Sequence, residues 1–377
     1  MYLLYAPKEK FGLIPPKFAL ITDEVLFTHN IAYCPKQFWQ KLHLLMGCRD
    51  VSPNWMRRAR EKRILSNVCV FATGGIGDSL WVMPFVRAVK EKYPAAKIIA
   101  VVDNRAAPVW HNTPFIAGIV DNTFYSTQSL VRGADEVWDF GGVATIMKKE
   151  KRLDPVEAIF KIADWPLPKE KEKCRPTLVI TIDEGQRAQA ELGRLGISVR
   201  EDSIFTIALE TSTPNRNWPF EYMKELTKSI TALGKKVIWL GESAQYDDRF
   251  LDTETKNIGA VNLVGKTNLR QAMSIIALSD VVISCNTGLL VIATALNIPT
   301  IGLFGAFNPN IRAKFYERFE AIWGRVECSP CEEHWTECRK GNIAPCMKII
   351  SPVDVFNRTM ALHKQYPRFK IGKLPIE

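Results

Sequence analysis

From residue 64 onward, short apolar runs alternate with longer segments in which apolar side chains recur every third or fourth position. Parallel strands covered on both faces read as near-continuous apolar runs, and the helices that cover them read as amphipathic stretches. The alternation therefore predicts an α/β architecture built on doubly wound parallel sheets. VCVFAT (68–73) and KIIAVVD (97–103) are the first two predicted strands, joined by a helix in SLWVMPFVRAVKEKYP. Pro84 within that helix predicts a start near Val82 or a kink. Segments 136–140 and 177–182 read as further strands, with DPVEAIFKIADW (154–165) as an intervening helix.

A second series begins at SIFTIAL (203–209) and continues through the helix FEYMKELTKSITALG and the strands KVIWLG (236–241) and AVNLVG (260–265). It ends with the helix LRQAMSIIALS (269–279), the strand VVISC (281–285), the helix GLLVIATALN (288–297) and TIGLFG (300–305) as a final strand. Helix formers and glycines separate the series near residues 184–202, which divides the chain into a first domain at 64–195 and a second at 196–377.

Residues 1–63 lack this rhythm and carry Pro15, Pro16, Pro35 and Pro53, so they form an N-terminal extension. Within it Phe38, Trp39, Leu42, Leu44, Leu45 and Met46 alternate with polar and basic residues, the pattern of an amphipathic helix. Packing on the main body or a subunit contact in a homo-oligomer is the favoured use of that face, and membrane-surface binding stays open.

The totals narrow the function classes. A chain of 377 residues with 47% hydrophobic residues can bury two ordinary cores. The longest apolar stretch, 281–307, is interrupted by Ser284, Asn286, Thr287 and Asn297, so it reads as buried strands and a helix rather than a membrane span. MYLLYAPKEKFG is too short in apolar residues for a secretory signal, and the expected location is the cytoplasm, with a peripheral position at the inner membrane surface compatible. A net charge of +10 suits anionic partners such as nucleoside diphosphates or phosphorylated glycans. No nucleic-acid-binding motif accompanies it, so nucleic acid is not an expected partner.

Three polar turns follow predicted strands. In GGIGDSL (74–80), Gly74, Gly75 and Gly77 permit close backbone approach and Asp78 stands at a helix entrance, where capping is its commonest role. ETSTPNRNWP (210–219) gathers Thr211, Ser212, Thr213 and Arg216, donors suited to a diphosphate; the alternative is a polar connection with Trp218 in the core. SCNTG (284–288) places Asn286, Thr287 and Gly288 at a third turn, again at the carboxyl edge of a sheet, where open α/β sheets bind ligands. Separately, Cys328, Cys331, Cys338 and Cys346 are spaced as C-x2-C-x6-C-x7-C. Such a loop, spanning 328–346, predicts a structural metal on four thiolates, with zinc the chemical default.

The ordered set GGIGDSLWVMPFVRAVKEKYP, STPNRNWPFEYMKEL and SCNTGLLVIATALNIPTIGLFGAFNP resembles glycosyltransferase family 9, the ADP-heptose heptosyltransferases, over roughly residues 64–360. The resemblance implies a GT-B fold of two facing Rossmann-like domains, with acceptor bound mainly by the first and nucleotide sugar mainly by the second. It implies Asp78 as general base on the acceptor hydroxyl, Arg216 on the donor phosphates, Glu242 at the donor ribose, and Thr287 and Gly288 beside the diphosphate. This chain has Asn286 where the family usually has Asp, and Val291 where a His commonly follows. Some members resembling this one at the late cysteines bind ferric ion, which makes iron the rival to zinc. The implied reaction is inverting sugar transfer from ADP-heptose to a glycan, lipopolysaccharide core or protein hydroxyl, without a catalytic metal. A non-catalytic nucleotide-sugar or glycan-binding protein on the same scaffold is the alternative.

Overall fold

The computed structural model describes residues 65–122, 130–131, 134–141, 153–208, 210–332, 338–341 and 344–368, with the backbone of four short strands before them. Those strands are β1 (Tyr2–Tyr5), β2 (Leu26–Thr28), β3 (Ile31–Cys34) and β4 (Arg49–Asp50), paired antiparallel in the order β2-β3-β1-β4. The amphipathic segment expected at 38–46 lies outside the described residues.

The first α/β unit holds β5 (Asn67–Phe71), β6 (Lys97–Val102), β7 (Gly118–Asp121) and β8 (Glu136–Asp139), all parallel, in the order β7-β6-β5-β8. Helix α1 (Ile76–Lys92) follows β5 and contains Pro84, so it neither starts near residue 82 nor ends at the proline. An interior proline costs a helix about 3 kcal/mol. Here residues 79–86 are all buried, and packing of that stretch outweighs the penalty. Phe85 is the hub: Trp138, Phe140, Phe160 and Trp165 meet its ring edge-on, with centroids 5.0, 5.0, 5.7 and 5.7 Å away. This cluster joins α1, the end of β8 and α2 (Pro155–Ile162).

The second unit begins with α3 (Ile182–Arg194), the only regular element formed from the segment expected as a strand at 177–182. The β-branched run Val179–Ile182 suggested a strand, but Thr181 and Glu184 close a capping box that starts the helix. Glu184 N donates to Thr181 Oγ1 at 3.3 Å, and Thr181 N donates to Glu184 Oε2 at 2.9 Å. After α3 come β9 (Ile204–Ala208), α4 (Phe220–Thr231), β10 (Lys236–Leu240), α5 (Asp248–Asn257) and β11 (Val261–Asn262). The chain continues through α6 (Leu269–Ala277), β12 (Val281–Cys285), α7 (Gly288–Ala295), β13 (Thr300–Phe304), β14 (Phe319–Trp323) and α8 (Pro352–Gln365). The sheet is parallel in the order β11-β10-β9-β12-β13-β14, the dinucleotide-fold order with its reversal between β9 and β12. TIGLFG is thus not the last strand, because β14 pairs beside it. Only Val261–Asn262 of the expected 260–265 strand is extended.

Contacts group residues from Glu170 onward, α3 included, with the second unit. Helix α3 lies on α6, where Arg270 forms an ion pair with Glu184 and donates to the Val179 carbonyl at 2.8 Å. The Arg270 hydrogen bond holds the Glu184 carboxyl at about 2 against an ordinary 4.5. A folded-state value below the unfolded one contributes stability above the unfolded value and loses it as pH falls toward the folded one. The thermal midpoint of the native chain is therefore expected to drop between pH 4.5 and about 2 more steeply than that of Glu184→Gln, as followed by circular dichroism.

Candidate functional site

In the first unit the Gly-Asp turn is built as a tight cup around one carboxylate. Gly75 is the N-cap of α1, and Asp78, the third helical residue, accepts the Gly75 N–H at 3.0 Å. Asp78 thus helps start the helix from inside its first turn, where the helix dipole favours an anion. Gly74 has φ +118°, and a Cβ there or at Gly75 would lie 3.3 or 3.1 Å from Asp78 Oδ2. Asp103, at the end of β6, accepts the Gly74 N–H at 2.7 Å with Oδ2 and Asn122 Nδ2 at 3.2 Å with Oδ1. The sequence pattern does not reveal this brace, whose one signal is the acid that follows the second strand.

In the second unit the sequence-predicted donor residues come together where the strand order reverses. Residues 211–213 fold back on themselves: Thr211 Oγ1 donates to the Thr213 carbonyl at 2.6 Å and accepts the Thr213 N–H at 3.2 Å. Arg216, in a single 3-10 turn, spans the two loops. Its Nε donates to Thr213 Oγ1 at 2.6 Å, its Nη2 to Ser212 Oγ at 2.8 Å and its Nη1 to the Asn286 carbonyl at 2.8 Å. Asn286 is buried, and Thr287 caps α7, accepting the Leu290 N–H at 3.4 Å while sharing a 3.1 Å hydroxyl contact with Ser284. Gly288 therefore opens α7 with its backbone at the helix's electropositive end. Trp218 is core, as the structural alternative had it, with Nε1 donating to the Ile350 carbonyl at 3.0 Å.

Glu242 is exposed on the loop after β10. The preceding residue, Gly241, has φ +121°, and a Cβ there would meet Leu289 Cδ1 of α7 at 3.5 Å. The Glu242 loop, the 211–216 loop and the Asn286–Gly288 turn thus all belong to the carboxyl ends of three adjacent strands. Val291 is buried within α7 and offers no polar group to a ligand.

Cys328 and Cys331 are exposed, Cys338 is half-buried and Cys346 is buried. Burial, and then the neighbouring thiols of Cys331, Cys338 and Cys328, push Cys346 up to about 11. Among the described residues no three His, Cys, Asp or Glu side chains stand as a metal-holding group, so this arrangement of the thiols does not itself form the expected site. At two described positions the contacts are close: Glu332 N donates to the Ala306 carbonyl at 2.9 Å, and a Cβ on Gly305 would reach Cys346 Sγ at 2.5 Å.

The family model for glycosyltransferase family 9 (heptosyltransferase) matches residues 144–342, more than half the chain. The chain belongs to glycosyltransferase family 9. Lipopolysaccharide heptosyltransferase 2 of Escherichia coli K12 is 30% identical over 102 residues, a stretch covering 26% of this chain and 29% of that relative. Among solved structures, E. coli ADP-heptose lipopolysaccharide heptosyltransferase II superposes with a TM-score of 0.63 at 18% identity, over 79% of this chain and 99% of that one. The iron-containing dodecameric glycosyltransferase TibC from enterotoxigenic E. coli H10407 gives 0.56 at 16% identity, over 80% of this chain and 79% of that one. These likenesses agree with the two parallel sheets in assigning family 9's GT-B fold of Rossmann-like domains. Among the described residues no helix is long and apolar enough to cross a membrane.

Proposed function

We propose that this family 9 chain is an inverting glycosyltransferase that moves heptose from ADP-heptose to a hydroxyl of a glycan, such as a lipopolysaccharide core, or of a protein. The observation that carries this reading is Arg216, whose guanidinium links the 211–213 turn to the Asn286 carbonyl at the reversal point of the second sheet. A cation fixed beside a helix N-terminus is a preorganised site for a diphosphate leaving group. In the reaction, Asp78 takes the proton of the acceptor hydroxyl, whose oxygen bonds to the anomeric carbon as the bond from that carbon to the diphosphate oxygen breaks. The nucleoside diphosphate departs with the electron pair, its charge met by Arg216 and the α7 amides. The names of the relatives, which include lipopolysaccharide and ADP-heptose heptosyltransferases, support the choice of donor and of a glycan acceptor. The test is transfer from ADP-heptose by the wild type and by Asp78 and Arg216 variants.

A second reading, a nucleotide-sugar or glycan-binding protein without turnover, is favoured by Asn286, which lacks the negative charge of the family's usual Asp, and by the buried Val291. Calorimetric binding of ADP without product across a broad acceptor panel would support it.

A structural zinc or iron on Cys328, Cys331, Cys338 and Cys346 is part of the proposal, supported by their close spacing in the sequence and by the iron-containing relative. A bound cation would stabilise the Cys346 thiolate, which burial otherwise disfavours. Elemental analysis of protein purified with thiols protected is expected to find about one metal ion per chain, lost in a Cys331→Ser variant. A metal-free native chain would remove this part of the reading.

A further inference from the structure

The residue at the start of the 210–219 loop is occupied in a way that the donor contacts do not explain. Glu210 spends both carboxylate oxygens on the neighbouring loop after β10: Ser243 Oγ donates to Oε1 at 3.0 Å, and Ala244 N donates to Oε2 at 3.0 Å. Ser243 Oγ in turn accepts the N–H groups of Gln245 and Tyr246 at 3.2 and 3.0 Å. The far end of that loop is fixed by rings. Tyr246 stacks on Phe250 at 5.2 Å and lies 4.5 Å from Phe220, which is packed against the second core. A turn that would otherwise sample many conformations is thereby fastened at both ends before any ligand arrives.

We infer that Glu210 is a positioning residue of the donor site: by holding Ser243 and Ala244 it fixes the loop carrying Glu242 against the turns of Arg216 and Asn286, and so preorganises the site for the nucleoside part of a nucleoside diphosphate. The inference rests on the donor-site reading above. Glu210 acts through the loop, not by touching the ligand. A carboxylate is required because both of its neighbours are donors. Glutamine would turn an N–H toward one of them, and aspartate, shorter by a methylene, would reach neither well. Ordering the loop in advance spares ADP the entropy of ordering it on binding, so loosening it appears as weaker affinity rather than as a lost contact.

The experiment is calorimetric titration of ADP into the full chain and its Glu210→Gln, Ser243→Ala, double and Arg216→Ala variants, with thermal unfolding of each. Glu210→Gln is expected to weaken ADP binding about tenfold while leaving the ligand-free midpoint near wild type. Ser243→Ala is expected to do the same more mildly. The double variant is expected to lie within about twofold of Glu210→Gln, because both changes break one linkage. Additive losses, or wild-type affinity in both single variants alongside a loss in Arg216→Ala, overturn the role of Glu210 and leave the donor site standing. Should Glu210→Gln fail to fold, wild-type affinity in Ser243→Ala overturns it. Absence of ADP binding by the wild type removes the donor-site reading and this inference with it.

Discussion

Replacing Arg216 by alanine is expected to lower kcat/KM for the nucleotide-sugar donor by about a hundredfold or more, in the range found when a preorganised donor to a developing charge is deleted. Two losses combine. The leaving diphosphate loses a fixed cation, and the Asn286 turn loses the 2.8 Å bond that ties it to the 211–213 loop. Arg216→Lys is expected to recover little, because an ammonium is a point charge and cannot span Thr213, Ser212 and Asn286 in the fixed fork of a guanidinium. Arg216 is only partly buried, so the folded state is expected to survive. Steady-state kinetics with ADP release as readout, beside calorimetric ADP affinity, checks this. An Arg216→Ala variant with native donor affinity and turnover would exclude the phosphate role.

Asp78→Asn is expected to reduce kcat by about a thousandfold with ADP affinity unchanged. Asparagine keeps an oxygen to accept the Gly75 N–H and so preserves that hydrogen bond at the helix start, but it cannot take a proton at neutral pH. Asp78→Ala removes both functions, adding about 1 kcal/mol of helix destabilisation to the same catalytic loss. The comparison separates the two uses of one carboxylate: a thermal midpoint lower in Ala than in Asn reports the cap, and equal loss of turnover in both reports the base. If Asp78→Asn turned over at the native rate, the cap would be the whole role of the residue.

Strands buried on both faces were legible because their apolar runs leave little alternative, and the strand before each polar turn lies close to where the pattern placed it. Misreadings arose where two local rules competed. At 177–182 β-branched residues argued for a strand, but the Thr181–Glu184 capping box, readable as T-x-x-E, decided for a helix. At Pro84, read as a late helix start or a kink, the late start is excluded because the helix begins at Ile76, and the aromatic packing of Phe85 within it depends on residues from three elements. Helix α5 escaped notice because its face is mostly polar, and β14 because its run FEAIW is short and carries an acid.

The site was legible as a set of turns and not as a set of bonds. Glycines after a strand mark a close backbone approach, which is why the Asp78 turn and the Asn286 turn stand out in the sequence. That Arg216 joins Asn286 across 70 positions, that Asp103 holds Gly74 and that Glu210 holds Ser243 are consequences of strand order, which no local pattern encodes. For the cysteines the spacing was visible, but the arrangement among the described residues does not form a metal-holding group.

The most direct test is a transfer assay with ADP-heptose, wild-type protein and a panel of lipopolysaccharide cores and hydroxyl-bearing protein acceptors, following ADP release and the acceptor mass together. The expectation is one heptose added per ADP released by the wild type, and no transfer by Asp78→Asn despite native ADP binding. Wild-type protein that binds ADP yet modifies no acceptor would contradict it and leave a binding protein on the same fold.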